Sequence, residues 1–145
     1  MPSVDIFTTT IDHYLAPIKA YLDDVAVSEV MINRADEIYI ERDGRLVKPD
    51  ARFTDQEAYE AAVRNILQFT GKSVSYEQPL VDTRLPDGSR VHVAMQPCAR
   101  FGTAVTIRAF GKAQLDIEWM VELRPLTEQA QPFLDIAAQE ERTLL

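Results

Sequence analysis

Three arginines carry the chemistry this sequence most plainly offers. In "LVDTRLPDGSRVHV", residues 80–93, Arg84 and Arg90 flank Pro86-Asp87-Gly88-Ser89, and Arg108 follows in "TAVTIRAF". Leu85-Pro86-Asp87-Gly88 suits a type I turn: proline presets φ, and Gly88 can take the left-handed bulge position. In that hairpin Arg84 lies opposite Arg90, Thr83 opposite Val91 and Asp82 opposite His92. Side chains alternate along a strand. Val81, Thr83, Leu85, Val91, Val93 and Met95 therefore share a face expected to be core, and Asp82, Arg84, Arg90 and His92 share the other. Directly opposed arginines cost from a few tenths to about 1 kcal/mol. A bound oxyanion reverses that cost, because the guanidinium fork grips phosphate through two parallel hydrogen bonds and keeps its charge at neutral pH. If the next strand pairs beside the second, Thr106 and Arg108 join the polar face. The alternative is that Asp82 neutralises Arg84 and the remaining charge is solvated.

The charge distribution permits a local anion site. The chain has 145 residues and a net charge of -8. Between Arg84 and Lys112 five cations stand against Asp87 alone, a net +4, which leaves -12 for the remainder. An acidic chain is a poor general binder of nucleic acid or anionic lipid. One basic segment within it suggests a confined site, or a solvated strand face with uneven charge.

Other chemistries lack their residues. No GxxxxGK[ST], GxGxxG or serine–histidine–acid spacing occurs. Cys98 is the only cysteine, and His13 and His92 are the only histidines. An internal disulfide is thereby excluded and a zinc site disfavoured. His92 on a strand reads as structural; Asp23-Asp24 and Glu140-Glu141 read as helix-end or exposed charges. No apolar run approaches the roughly 18 residues a membrane span needs. The first residues lack a basic n-region and an apolar h-region, so no signal peptide is expected. A cytoplasmic setting fits these features.

The elements that must position the arginines are legible in outline. With 46% apolar residues the chain can bury a core. Ile11, Tyr14, Leu15, Ile18, Tyr21 and Leu22 form a helical stripe, and Pro17 either starts that helix or kinks it. "SEVMINRADEIYIERDGRLVK" reads as an antiparallel meander, with turns at Arg34-Ala35-Asp36 and Asp43-Gly44. "RFTDQEAYEAAVRNILQFTGK" reads as a helix capped by Thr54 with Glu57 and closed by Gly71. Its buried stripe is Tyr59, Ala62, Val63, Ile66, Leu67 and Thr70. Strands are expected near 80–85, 89–96 and 103–109. Two short helices follow, in "LDIEWMVEL" and "LTEQAQPFLDIAAQEE", the second capped by Thr127. The fold class is α+β, a mostly antiparallel sheet with helices packed on one face.

Several stretches resemble the N-terminal domain of the type II/type IV secretion ATPase superfamily, its conjugative-secretion and tight-adherence pilus branches above all. "LAPIKAYLDDVAVSEVMINRADEIYIERDGRL" is similar to the family's opening helix and strands, through Ser28, Glu29, Asn33, Tyr39, Glu41 and Gly44. "QPLVDTRLPDGSRVHVAMQP" and "TAVTIRAF" are similar to its "LPdGsR" and "TIR" segments. The pieces keep the family order over residues 12–145. The resemblance implies hexameric motors of secretion, conjugation and pilus assembly. In these motors N-terminal arginines reach nucleotide phosphates held by a C-terminal P-loop domain. It carries that role to Arg90 and Arg108, and less firmly to Arg84, which Asp82 could simply hold. It implies an N-terminal α+β domain over 1–110. Residues 111–145 become the linker and first elements of the ATPase domain, cut before the P-loop at Thr143-Leu144-Leu145. Walker A, Walker B and the histidine box are absent, so ATP and Mg are expected in the full-length parent, and this chain alone is expected to be inactive. The implied partners are its own ATPase domain, neighbouring subunits of a homo-hexamer and inner-membrane components, at the cytoplasmic face of a bacterial inner membrane. The competing reading is a non-enzymatic module docking onto such membrane components.

Overall fold

Alternation of β-branched with polar residues builds two meanders that meet in one sheet. The first is β1 (Val27–Arg34), β2 (Glu37–Arg42) and β3 (Arg45–Val47); the second is β4 (Leu80–Arg84), β5 (Arg90–Ala94) and β6 (Ala104–Arg108). All pairings are antiparallel, in the order β3-β2-β1-β6-β5-β4. The computed structural model describes residues 3–109, 127 and 130–139. Contacts divide the chain into two units, Met1–Lys112 and Ala113–Leu145.

The turns follow the local chemistry. Asp43 and Gly44 both have positive φ, 51° and 72°, as the two-residue hairpin between β2 and β3 requires. Gly88, at φ 87°, takes the bulge position after Leu85-Pro86-Asp87. There Gly88 N–H donates to the Leu85 carbonyl and Leu85 N–H to the Ser89 carbonyl, both at 2.9 Å. Asp87 accepts from the backbone N–H and the hydroxyl of buried Ser89, each at 2.9 Å, which locks the turn from within.

Three helices accompany the sheet. α1 (Ser3–Tyr14) and α2 (Ala16–Asp23) are separate helices on either side of Leu15, with Pro17 in the first turn of α2, where it lacks nothing the helix needs. The stripe therefore breaks rather than bends. Lys19 joins the two helices through Asp12 of α1 (3.3 Å) and also pairs with Asp23 of its own helix (3.0 Å), both largely solvated contacts. α3 (Gln56–Phe69) buries Tyr59, Ala62, Val63, Ile66 and Leu67 as its spacing predicts. Its cap differs from the expected one. Asp55, not Thr54, stands at the N-cap and accepts from Ala58 N–H at 2.7 Å. A carboxylate one residue further on satisfies the orphan donor and meets the positive end of the helix dipole. Gly71, at φ 64°, closes the helix, with Lys72 N–H donating to the Leu67 carbonyl at 2.9 Å.

Ile11, Leu15, Ile18 and Leu22 from the first two helices join the α3 stripe and Val30, Ile32, Ile38, Ile40, Val91, Val93, Val105 and Ile107 in one buried cluster. The helices thus cover one face of the sheet. In the second unit α4 (Ala130–Gln139) begins where Ala130 N–H donates to the Thr127 carbonyl at 2.9 Å. The expected helix in "LDIEWMVEL" and the terminal Thr143-Leu144-Leu145 lie outside the described residues. Among the described residues no helix is long and apolar enough to cross a membrane.

Tyr59 ties α3 to the seam between the meanders. It is 1% exposed, and its hydroxyl donates to the Thr103 carbonyl at 2.9 Å, with the Ile32 carbonyl at 3.3 Å as second acceptor. Burial, then the charge of Glu60, raises its phenol above the ordinary value. The unfolded chain ionises this group near pH 10 while the fold resists ionisation, so its contribution is whole below about pH 10 and is lost as pH rises beyond it. Tyr59→Phe is expected to lower stability by about 1 kcal/mol at neutral pH and to flatten the alkaline decline; urea unfolding from about pH 7 to 11 measures both.

Candidate functional site

Register alone brings the three arginines together. Arg84 pairs with Arg90, and Arg90 pairs with Arg108. The row continues through Glu29 on β1 to Glu41 on β2. Adjacent strands lie about 4.8 Å apart, so the arginines occupy a strip about 10 Å wide. Their partners alternate inward into the core, which turns the row to the opposite face. Arg84, Arg90 and Arg108 are exposed, while Glu29 and Glu41 are half-buried.

Each arginine is held differently. Arg84 Nη1 donates to the Gly88 carbonyl across the turn at 3.5 Å, a marginal bond. Arg108 Nη2 pairs with Glu29 Oε1 at 3.5 Å, with 67% and 18% of the two side chains exposed. Arg90 lies between them, and among the described residues no carboxylate pairs with it. The expectation that Asp82 could neutralise Arg84 is corrected. Asp82 and His92 are cross-strand partners, and His92 Nδ1 lies 2.9 Å from Asp82 Oδ1. Asp82 belongs to the next row of the sheet, two residues along β4 from Arg84, and the closer cross-strand histidine takes it.

Glu29 and Glu41 are the members of this row that the spacing of the arginines could not show. The pairing of β1 with β6 joins segments some seventy residues apart in sequence, and no local pattern announces it. The polar phase of β1, in which Met31 and Asn33 alternate with Val30 and Ile32, was the available signal. Carried back two residues, that phase puts Glu29 on the polar face without naming its neighbour.

The site is an open face rather than a pocket. A separate concavity is lined by Ala35, Asp36, Arg52, Phe53, Thr54, Asp55 and Gln56 at the start of α3. Its carboxylates ill suit an anion, and it lies by the β1–β2 turn, at the end of β1 away from Glu29. Among the described residues no cluster of three His, Cys, Asp or Glu side chains could hold a metal ion.

Residues 12–145 match the protein family described as "Type II/IV secretion system protein". The Type IV secretion system protein VirB11 of Brucella suis biovar 1 (strain 1330) is 25% identical over 131 residues, covering 86% of this chain and 36% of that protein. Protein VirB11 of Agrobacterium fabrum is 32% identical over 95 residues, covering 65% of this chain and 27% of that protein. This chain thus spans about a third of the length of these curated relatives. In three dimensions it resembles the VirB11 ATPase from the Brucella suis type IV secretion system, crystallised in complex with sulphate. The TM-score is 0.73 at 20% identity, over 97% of this chain and 45% of that one. That likeness establishes a shared fold.

The crowding of Arg90 between two like charges has a measurable consequence. Arg90→Gln is expected to raise stability by a few tenths of a kcal/mol at low ionic strength. Because the opposed groups are exposed, the gain should shrink as salt rises. Urea unfolding at low and high sodium chloride tests this, and an unchanged or lowered low-salt stability would contradict it.

Proposed function

The chain belongs to the type II/IV secretion system protein family, and from that premise we propose that it supplies the N-terminal part of a hexameric secretion or pilus-assembly ATPase. Residues 1–110 form the N-terminal domain in this reading, and 111–145 the linker and first elements of the ATPase domain. Arg90 and Arg108 contact the terminal phosphates of ATP bound by that domain, with Arg84 at the margin. The single observation that supports this assignment is the Arg84–Arg90–Arg108 row, whose central guanidinium pairs with no carboxylate among the described residues.

Phosphoryl transfer depends on positioning and on neutralising negative charge, and fixed guanidiniums do both. An open sheet face cannot enclose a nucleotide, since ligand sites are concave. A second surface must therefore present it, which suits a nucleotide held by another domain. The donors of the row are cationic, so they fit phosphate oxygens and do not fit Mg. A metal would arrive with the nucleotide, on ligands outside the row. Once phosphate bridges the arginines, the two domains are drawn together. Hydrolysis weakens that bridge, which couples nucleotide state to domain motion and ring assembly. The remaining partners in this reading are neighbouring subunits and inner-membrane components of the secretion or pilus machine, at the cytoplasmic face of the membrane.

Tested in the protein carrying its ATPase domain, Arg90→Ala and Arg108→Ala are each expected to lower ATP turnover by about ten- to a hundredfold, with thermal unfolding little changed. Arg84→Ala is expected to have the smallest effect of the three. Full turnover in both the Arg90 and Arg108 variants would overturn the phosphate role.

A further inference from the structure

The row of charge does not end with the arginines. Glu29 stands directly opposite Arg108 on one side and opposite Glu41 on the other. Two carboxylates facing each other across a strand pair repel. Arg108 offsets that repulsion from the far side, through the 3.5 Å contact of its Nη2 with Glu29 Oε1. Glu29 is the more enclosed partner, at 18% exposed against 67% for Arg108. The carboxylate is therefore anchored in the sheet, while the guanidinium is the group free to swing. The three arginines are consequently unequal. Arg90 has no carboxylate to release among the described residues, whereas Arg108 must leave one before it can meet another anion.

We propose that Glu29 is a positioning residue, an internal anion that holds Arg108 against the sheet and that an incoming phosphate must displace. This rests on the reading that Arg90 and Arg108 meet phosphate. Phosphate engages Arg90 first, and Arg108 follows by exchanging one oxyanion for another. The exchange leaves Glu29 beside Glu41 without its counter-charge, which weakens phosphate binding and favours release. Glu29 thus sets the arginine pair to grip reversibly, a property a motor that binds and releases nucleotide in each cycle needs.

The test titrates the 145-residue chain with inorganic tripolyphosphate at low ionic strength, following the arginine Nε–Hε resonances by NMR. Glu29→Gln is expected to tighten binding about three- to fivefold, the upper range for an exposed or half-exposed ion pair. It should also shift the Arg108 resonance in the free protein toward its phosphate-bound position. Glu41→Gln removes the same charge without touching Arg108 and is expected to give less than half that gain. In an Arg108→Ala background Glu29→Gln is expected to gain no more than Glu41→Gln does. If Arg90→Ala and Arg108→Ala bind like the unaltered chain, the phosphate reading fails and takes this inference with it. If those variants weaken binding while Glu29→Gln does not tighten it, the reading stands and the inference is overturned. An equal gain from Glu41→Gln, or a full gain that survives Arg108→Ala, also overturns it, by reducing Glu29 to general charge.

Discussion

The antiparallel pairing of β1 with β6 is the joint on which this domain depends. It places Val30 opposite Ile107 and Ile32 opposite Val105, which closes the core between two meanders that local sequence could form separately. The same register necessarily sets Glu29 opposite Arg108 on the other face. A strand has a period of two, so one slip would carry the isoleucines to solvent and the charges into the core. The hydrophobic side therefore fixes the polar side. Tyr59 reinforces the joint from above, since its hydroxyl reaches carbonyls on both sides of the seam.

Two opposed tendencies follow from that register. Three guanidiniums in a row repel one another, and two carboxylates beyond them do the same. Within this row, among the described residues, the favourable cross-strand ion pair is that of Arg108 with Glu29, where the two groups meet. The tight turn closed by Asp87 and Ser89 holds Arg84 and Arg90 opposite each other despite their repulsion. Rigidity in the core and turn is what allows an unfavourable arrangement to persist at the surface. Such persistence is expected where a face awaits an oxyanion, because a preformed cluster need not reorganise when the anion arrives. Chain order adds to the picture. β6 ends at Arg108, and the second unit begins only a few residues later, at Ala113. Arg108 thus sits at the end of the strand that precedes the second unit in sequence.

Much of this was legible in the sequence where local rules decide. The Leu85–Ser89 turn, the Arg84–Arg90 opposition, the Asp43-Gly44 hairpin and the α3 stripe all follow from turn chemistry and periodicity. Errors arose where two local options competed. Thr54 and Asp55 are both good caps, and only the backbone geometry chose the carboxylate. Asp82 could have met Arg84 along its own strand, but His92 lies directly across from it and took the bond. What sequence pattern could not supply was long-range pairing. The resemblance to secretion ATPases marked Glu29 and Glu41 as motif residues, yet only the sheet order put them in line with the arginines.

In the proposed role the arginine row faces nucleotide phosphate in the assembled protein. The most direct measurement is a structure of the protein with its ATPase domain and a non-hydrolysable ATP analogue bound. The phosphate role requires Arg90 and Arg108 guanidinium nitrogens within about 3 Å of terminal phosphate oxygens, with Arg108 drawn away from Glu29. A bound analogue with both arginines turned to solvent, or paired to carboxylates of another subunit, would contradict it.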